Sequence, residues 1–92
     1  ITEFELTSSS YLGLMTAVNM NSLLDNAFPE SGLGDGIPRA ELYLNLENPE
    51  EYHRRALEAG ATELSPMLPR DWGDIAAYSM DLDGHVLAFA KT

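Results

Sequence analysis

Between residues 39 and 60 a strand pattern hands over to a helix pattern within two residues, and this handover constrains the fold more than any other feature. Leu42, Leu44 and Leu46 alternate with Glu41, Tyr43 and Asn45, so Arg39 to Leu46 reads as a strand with a leucine face and a more polar face. Asn48 then stands as an N-cap, Pro49 at the first helical position, and Glu50 and Glu51 in the first turn, where the helix dipole favours carboxylates. Gly60 ends the helix. Tyr52, Ala56, Leu57 and Ala59 supply its apolar side, so the helix is expected to lie across the leucine face of the preceding strand. The result is a layered α+β unit.

The pattern downstream of Gly60 is all strand and turn. A short strand at Ala61 to Leu64 precedes a loop holding Pro66, Pro69 and the Trp72-Gly73 pair; strands follow at Ile75 to Met80 and at His85 to Lys91, with a turn at Asp81 to Gly84 between them. From Arg39 the order is therefore βαβββ. Upstream, Thr2 to Thr16 reads as two strands joined by Ser8, Ser9 and Ser10. Ala17 to Pro38 is dense in Asn, Asp, Gly and Pro and reads as a linker that carries no chemistry.

Composition narrows the function. Ninety-two residues make one small domain with a single modest core, and so much exposed surface favours a covering partner, so a homodimer is expected. A formal charge of −10 with only five basic residues, in no stripe, argues against nucleic acid. The absence of cysteine removes disulfides, thiolate metal sites and cysteine nucleophiles. No run resembles a secretory leader or approaches the roughly 20 apolar residues of a membrane helix, so no membrane association and a cytoplasmic location are expected. The chain opens on Ile1 and runs directly into strand-like sequence, which suggests that its beginning is missing.

Three stretches carry a resemblance: Ala59-Gly60-Ala61 after the helix, Trp72-Gly73 in the loop, and Asp81-Leu82-Asp83-Gly84-His85-Val86-Leu87 at the last hairpin. With the βαβββ order they resemble the C-terminal module of the vicinal oxygen chelate superfamily, which includes glyoxalases, bleomycin-resistance proteins and extradiol dioxygenases. The resemblance covers residues 39–92, with Leu82 where the family's turn has proline, while residues 1–16 resemble the closing strands of a first module. It implies one domain at 1–92: remnant strands at 1–16, a linker at 17–38 and the second module at 39–92, with an open curved sheet and a helix on its convex face. The first module is expected to be incomplete or completed by another chain. Family metal ligands come from the first and last strands of each module. Here the resemblance puts Glu41 at one ligand position but Ala88 at another, and Tyr11 to Met15 has neither carboxylate nor imidazole. A catalytic divalent site needs about three protein ligands, so Glu41 is the single metal candidate and no cofactor is expected.

The polar side of the 39–46 strand then becomes the candidate binding surface. If Asp81 pairs with His85, Met80 lies opposite Val86 and Tyr78 opposite Ala88, which places Tyr78, Met80 and Ala88 on the face of Glu41, Tyr43 and Asn45. Met15 and Trp72 join this lining, and small residues such as Ala88 leave room for a ligand. Aromatic walls with Glu41 and Asn45 as polar anchors suit an apolar, aromatic or cationic small molecule. The ordinary alternative for Glu41 is a solvated carboxylate, and for Trp72 a core cap; His85 reads as an exposed edge residue and His53 as a surface residue of the helix. The expected function is metal-independent small-molecule binding; the alternative is a lyase, isomerase or dioxygenase in which Glu41 helps hold one divalent metal ion. A third reading is a sheet face that docks a protein.

Overall fold

The computed structural model describes residues 2–14 and 40–92; the linker at 17–38 and Met15 lie outside the described residues. In chain order the elements are β1 (Thr2–Thr7), β2 (Ser10–Leu14), β3 (Glu41–Asn45), α1 (Pro49–Glu58), β4 (Thr62–Pro69), β5 (Ile75–Met80) and β6 (Val86–Lys91). They form a small α+β domain with two open sheets, the hairpin β1-β2 and a four-stranded sheet of order β3-β6-β5-β4.

The serine-rich turn closes the hairpin as its composition predicts. The Thr7 and Ser10 hydroxyls lie 2.8 Å apart, and the Ser9 amide donates to the Thr7 hydroxyl at 3.2 Å. Phe4 pairs with Leu12 and Thr2 with Leu14, which gathers the apolar side chains on one side of the ribbon. Every residue described in the hairpin is exposed.

In the larger sheet β3 runs parallel to β6, and β5 runs antiparallel to both β6 and β4. β3 and β4 therefore point the same way from opposite edges, and a connection between parallel strands must cross over the sheet. α1 is that crossover, so it has to pass over β6 and β5, and it packs chiefly on those two strands. This corrects the expectation that the helix lies across the leucine face of β3. Leu42 and Leu44 point to the helix side, as their neighbours Leu87 and Phe89 do, but remain 60% and 38% exposed. What the helix covers is Ala77, Ser79 and Phe89, all buried.

The face that α1 turns inward also differs from the sequence reading. Pro49, His53, Ala56 and Leu57 recur at helical spacing and form the inner stripe, while Tyr52 faces outward beneath the Arg55 guanidinium. His53, read as a surface residue, is thus only 7% exposed. Its Nε2 lies 2.9 Å from the Glu63 carboxylate on β4, and its ring lies 6.2 Å from that of Phe89. At the helix start the Asn48 side chain makes no capping hydrogen bond, so the start rests on Pro49 and the first-turn glutamates. Gly60 leaves the helix at φ 111°, a conformation that L side chains rarely adopt.

β4 is longer than its apolar residues indicate, running through Pro66 to Pro69. An edge strand tolerates proline, and the ladder to β5 accommodates it with two register shifts. β5 and β6 pair in the expected register, Tyr78 opposite Ala88 and Met80 opposite Val86. Asp81 organises their turn despite Leu82: its carboxylate accepts from the Asp83 and His85 amides at 2.9 and 2.8 Å, and its own amide donates to the His85 carbonyl at 2.9 Å. The His85 side chain is exposed, as expected. Among the described residues no helix is long and apolar enough to cross a membrane.

Candidate functional site

The sheet face opposite α1 is built by period-two alternation on three paired strands. Across β3, β6 and β5 the register sets Glu41 beside Val86 and Met80, Tyr43 beside Ala88 and Tyr78, and Asn45 beside Ala90 and Ala76. Ala76, Tyr78, Val86, Ala88 and Ala90 form the buried cluster of this face, with Tyr43 and Leu64 packed against it. Of the sequence candidates, Glu41, Tyr43, Tyr78, Met80 and Ala88 thus share one face. Asn45 lies on it at the exposed end of β3, and Met15 falls outside the described residues.

The expectation that small residues leave room for a ligand needs correction. Ala76, Ala88 and Ala90 are all 0% exposed. With Tyr43 and Leu64 packed on this cluster, the chain's own side chains take up that space. The Tyr43 hydroxyl reaches from β3 to the start of β5, where it donates to the Asp74 carboxylate at 2.6 Å, and it accepts from the Trp72 indole N–H at 2.9 Å. The two rings meet at 6.4 Å and 57°, a tilted aromatic pair. Trp72 is 45% exposed and sits at the rim of this face, held by the Tyr43 hydroxyl.

Residues 70–74 form the connection that carries this rim. The Arg70 amide donates to the Asp74 carbonyl at 2.7 Å, the Gly73 amide donates back to the Arg70 carbonyl at 3.1 Å, and Gly73 takes φ 104°, which closes the turn. The Arg70 guanidinium then reaches back along the sheet. It donates to the Ser65 hydroxyl at 2.8 Å, to the Pro66 carbonyl at 3.1 Å and twice to the Ala76 carbonyl, and it stacks on the Tyr78 ring at 5.1 Å. Arg70 and Asp74 were missed by sequence reasoning: each sits among turn-forming residues, and no local pattern ties either to a tyrosine on another strand.

Electrostatically the face centres on Glu41. One of its carboxylate oxygens, Oε2, is buried and has no hydrogen-bond partner among the described residues. Burial pushes the Glu41 pKa from 4.5 up to about 7, so the group exchanges a proton near neutrality. The Tyr43 phenol is pushed up to about 12, first by burial, then by its hydrogen bond to Asp74, with the charges of Asp74 and Glu41 adding to the effect. Tyr78 is raised further, again first by burial and then by the Glu41 charge. The arrangement can therefore hold or exchange one proton at Glu41 beside two phenols that stay neutral. Among the described residues no three His, Cys, Asp or Glu side chains gather as a metal-ligand set. Among the described residues, two open grooves lie elsewhere, one along the outer side of α1 and one between the end of α1 and Leu82.

No protein-family model matches the sequence, and neither any curated protein nor any solved structure matches it.

Proposed function

We propose that this chain is a small-molecule-binding protein of the glyoxalase and bleomycin-resistance type that works without a metal. Its ligand is a small aromatic molecule with a cationic group, which reaches Glu41 from the rim of the sheet face that Tyr43 and Trp72 form. The observation that carries this reading is the buried Glu41 oxygen that has no partner among the described residues, beside two aromatic rings. A carboxylate in that setting gains from a compensating charge, which a ligand cation supplies. The half-exposed Trp72 indole marks the rim at which such a molecule approaches. The strand-helix-strand-strand-strand order from Glu41 to Lys91 supports the family part of the reading.

Benzylamine and its neutral counterpart benzyl alcohol make a discriminating probe pair. A bound ligand raises the melting temperature by mass action, so benzylamine is expected to stabilise the protein at pH 8 more than benzyl alcohol does, and Glu41→Gln is expected to remove the difference. Equal shifts with both probes, or an undiminished benzylamine effect in the variant, contradict the assignment of Glu41 as the anchor.

A further inference from the structure

Arg70 differs from the other basic side chains described. Arg54 and Arg55 pair with Glu51 and Glu58 along α1, and Lys91 reaches Glu47 at 3.7 Å. Arg70 has no carboxylate partner among the described residues: its guanidinium donates to the Ser65 hydroxyl and to the Pro66 and Ala76 carbonyls, all of them neutral. Those bonds use Nε and Nη2 and tie β4 to β5. Nη1 donates to nothing among the described residues and is not sealed off from solvent. A guanidinium in this state is a ready partner for a carboxylate, to which it gives charge-assisted hydrogen bonds.

Glu41 shows the opposite deficiency on the same sheet face, since its buried Oε2 has no partner among the described residues. The rim links the two groups. Tyr43 follows Glu41 on one face of β3, its hydroxyl accepts from the Trp72 indole, and Trp72 lies in the tight turn that Arg70 opens. Asp74, the carboxylate at the end of that turn, is already engaged by the Tyr43 hydroxyl. The Tyr78 phenol, raised first by burial, is raised further by the Glu41 charge and lowered by that of Arg70, so both groups act on it. The Arg70 guanidinium stacks 5.1 Å from the Tyr78 ring on β5. Glu41 stands on β3, two strand spacings from β5, or about 10 Å. A molecule that carries both its charges on one carbon cannot span that separation, whereas charges at opposite ends of an aromatic ring can. Such a molecule also has no net charge for a chain of −10 to repel, unlike a simple anion.

We infer that the ligand of this face is a zwitterion: an aromatic ring with an ammonium group at one end, for Glu41, and a carboxylate at the other, for the Arg70 guanidinium. The inference rests on the reading of Glu41 as the cation anchor and adds a second anchor that sets the class of ligand.

4-(Aminomethyl)benzoate and 4-methylbenzylamine share the ring and the ammonium group and differ in the carboxylate. Calorimetric titration of the full chain at pH 8 is expected to show about tenfold tighter binding of the aminomethylbenzoate, and Arg70→Gln is expected to remove that advantage. Because Arg70 also ties β4 to β5, a second measurement uses the unaltered protein: the NMR signals of the Arg70 guanidinium are expected to move with the aminomethylbenzoate and not with 4-methylbenzylamine. Equal affinities for the two amines, or an advantage that persists in folded Arg70→Gln, overturn the inference. If benzylamine still stabilises the protein more than benzyl alcohol does, the reading of Glu41 survives that failure; if neither amine binds, both fall.

Discussion

The four-stranded sheet is covered on both faces, but by different means. On one face a helix lies over Ala77, Ser79 and Phe89, and its polar attachment to the sheet is the contact of His53 with Glu63. On the other face the cover consists of individual side chains: Tyr43, Leu64 and the Arg70 to Asp74 connection, tied together by directed hydrogen bonds around ionisable groups. The helix face gains most of its stability from close packing. The opposite face gains part of its stability from groups whose charge state decides whether burial is tolerated. A face of the second kind suits exchange of a proton or a ligand.

The largest expected effect breaks the helix face. Phe89→Ala removes a buried ring from beneath α1 and is expected to cost about 3 to 5 kcal/mol, measured by urea unfolding. A loss under about 1 kcal/mol would mean that the helix is not seated on β6.

Next in size is the pH dependence of the opposite face. Glu41 titrates near 4.5 when unfolded and near 7 when folded, so between those values the folded state binds the proton more tightly. Stability is therefore fully present below about pH 4.5, falls as the pH rises to about 7, and is level above that. The fall is on the order of 3 kcal/mol. Urea unfolding of the wild type and of Glu41→Gln at several values from pH 4.5 to 8 checks this; the variant is expected to lack the Glu41 component of the slope.

Tyr43→Phe sharpens the comparison. It removes the hydroxyl that links Trp72 to Asp74 while keeping the ring, and is expected to cost about 1 to 2 kcal/mol and to shift the Trp72 fluorescence. Unchanged fluorescence would mean that the indole is not held there. The smallest effect belongs to Glu63→Gln, which weakens the contact with His53 at a half-exposed site. The expected loss is about 1 kcal/mol or less, and a larger loss would show that this contact fastens α1.

Local pattern made much of this legible. The change of period at Asn48, the hairpin turns and the alternation of β5 and β6 all depend on neighbouring residues, and they place Tyr43, Tyr78 and Ala88 on one face. What pattern could not supply was pairing order. Once β6 and β5 lie between β3 and β4, the helix must leave Leu42 and Leu44 uncovered and must bury His53 over the central strands. Strand order is set by contacts distant in sequence, so neither outcome is written in the local alternation. The same limit hid Arg70 and Asp74, and it made Ala88 read as space for a ligand when the rings of Tyr43 and Tyr78 pack there.

The most direct test of the account is the titration of the Glu41 carboxyl by carbon-detected NMR, with Glu41→Gln to assign the resonance. The account predicts a midpoint near 7, moving downward when benzylamine binds and favours the charged form. A midpoint near the ordinary 4.5, unaffected by the amine, would show that Glu41 is solvated and that the sheet face does not act through it.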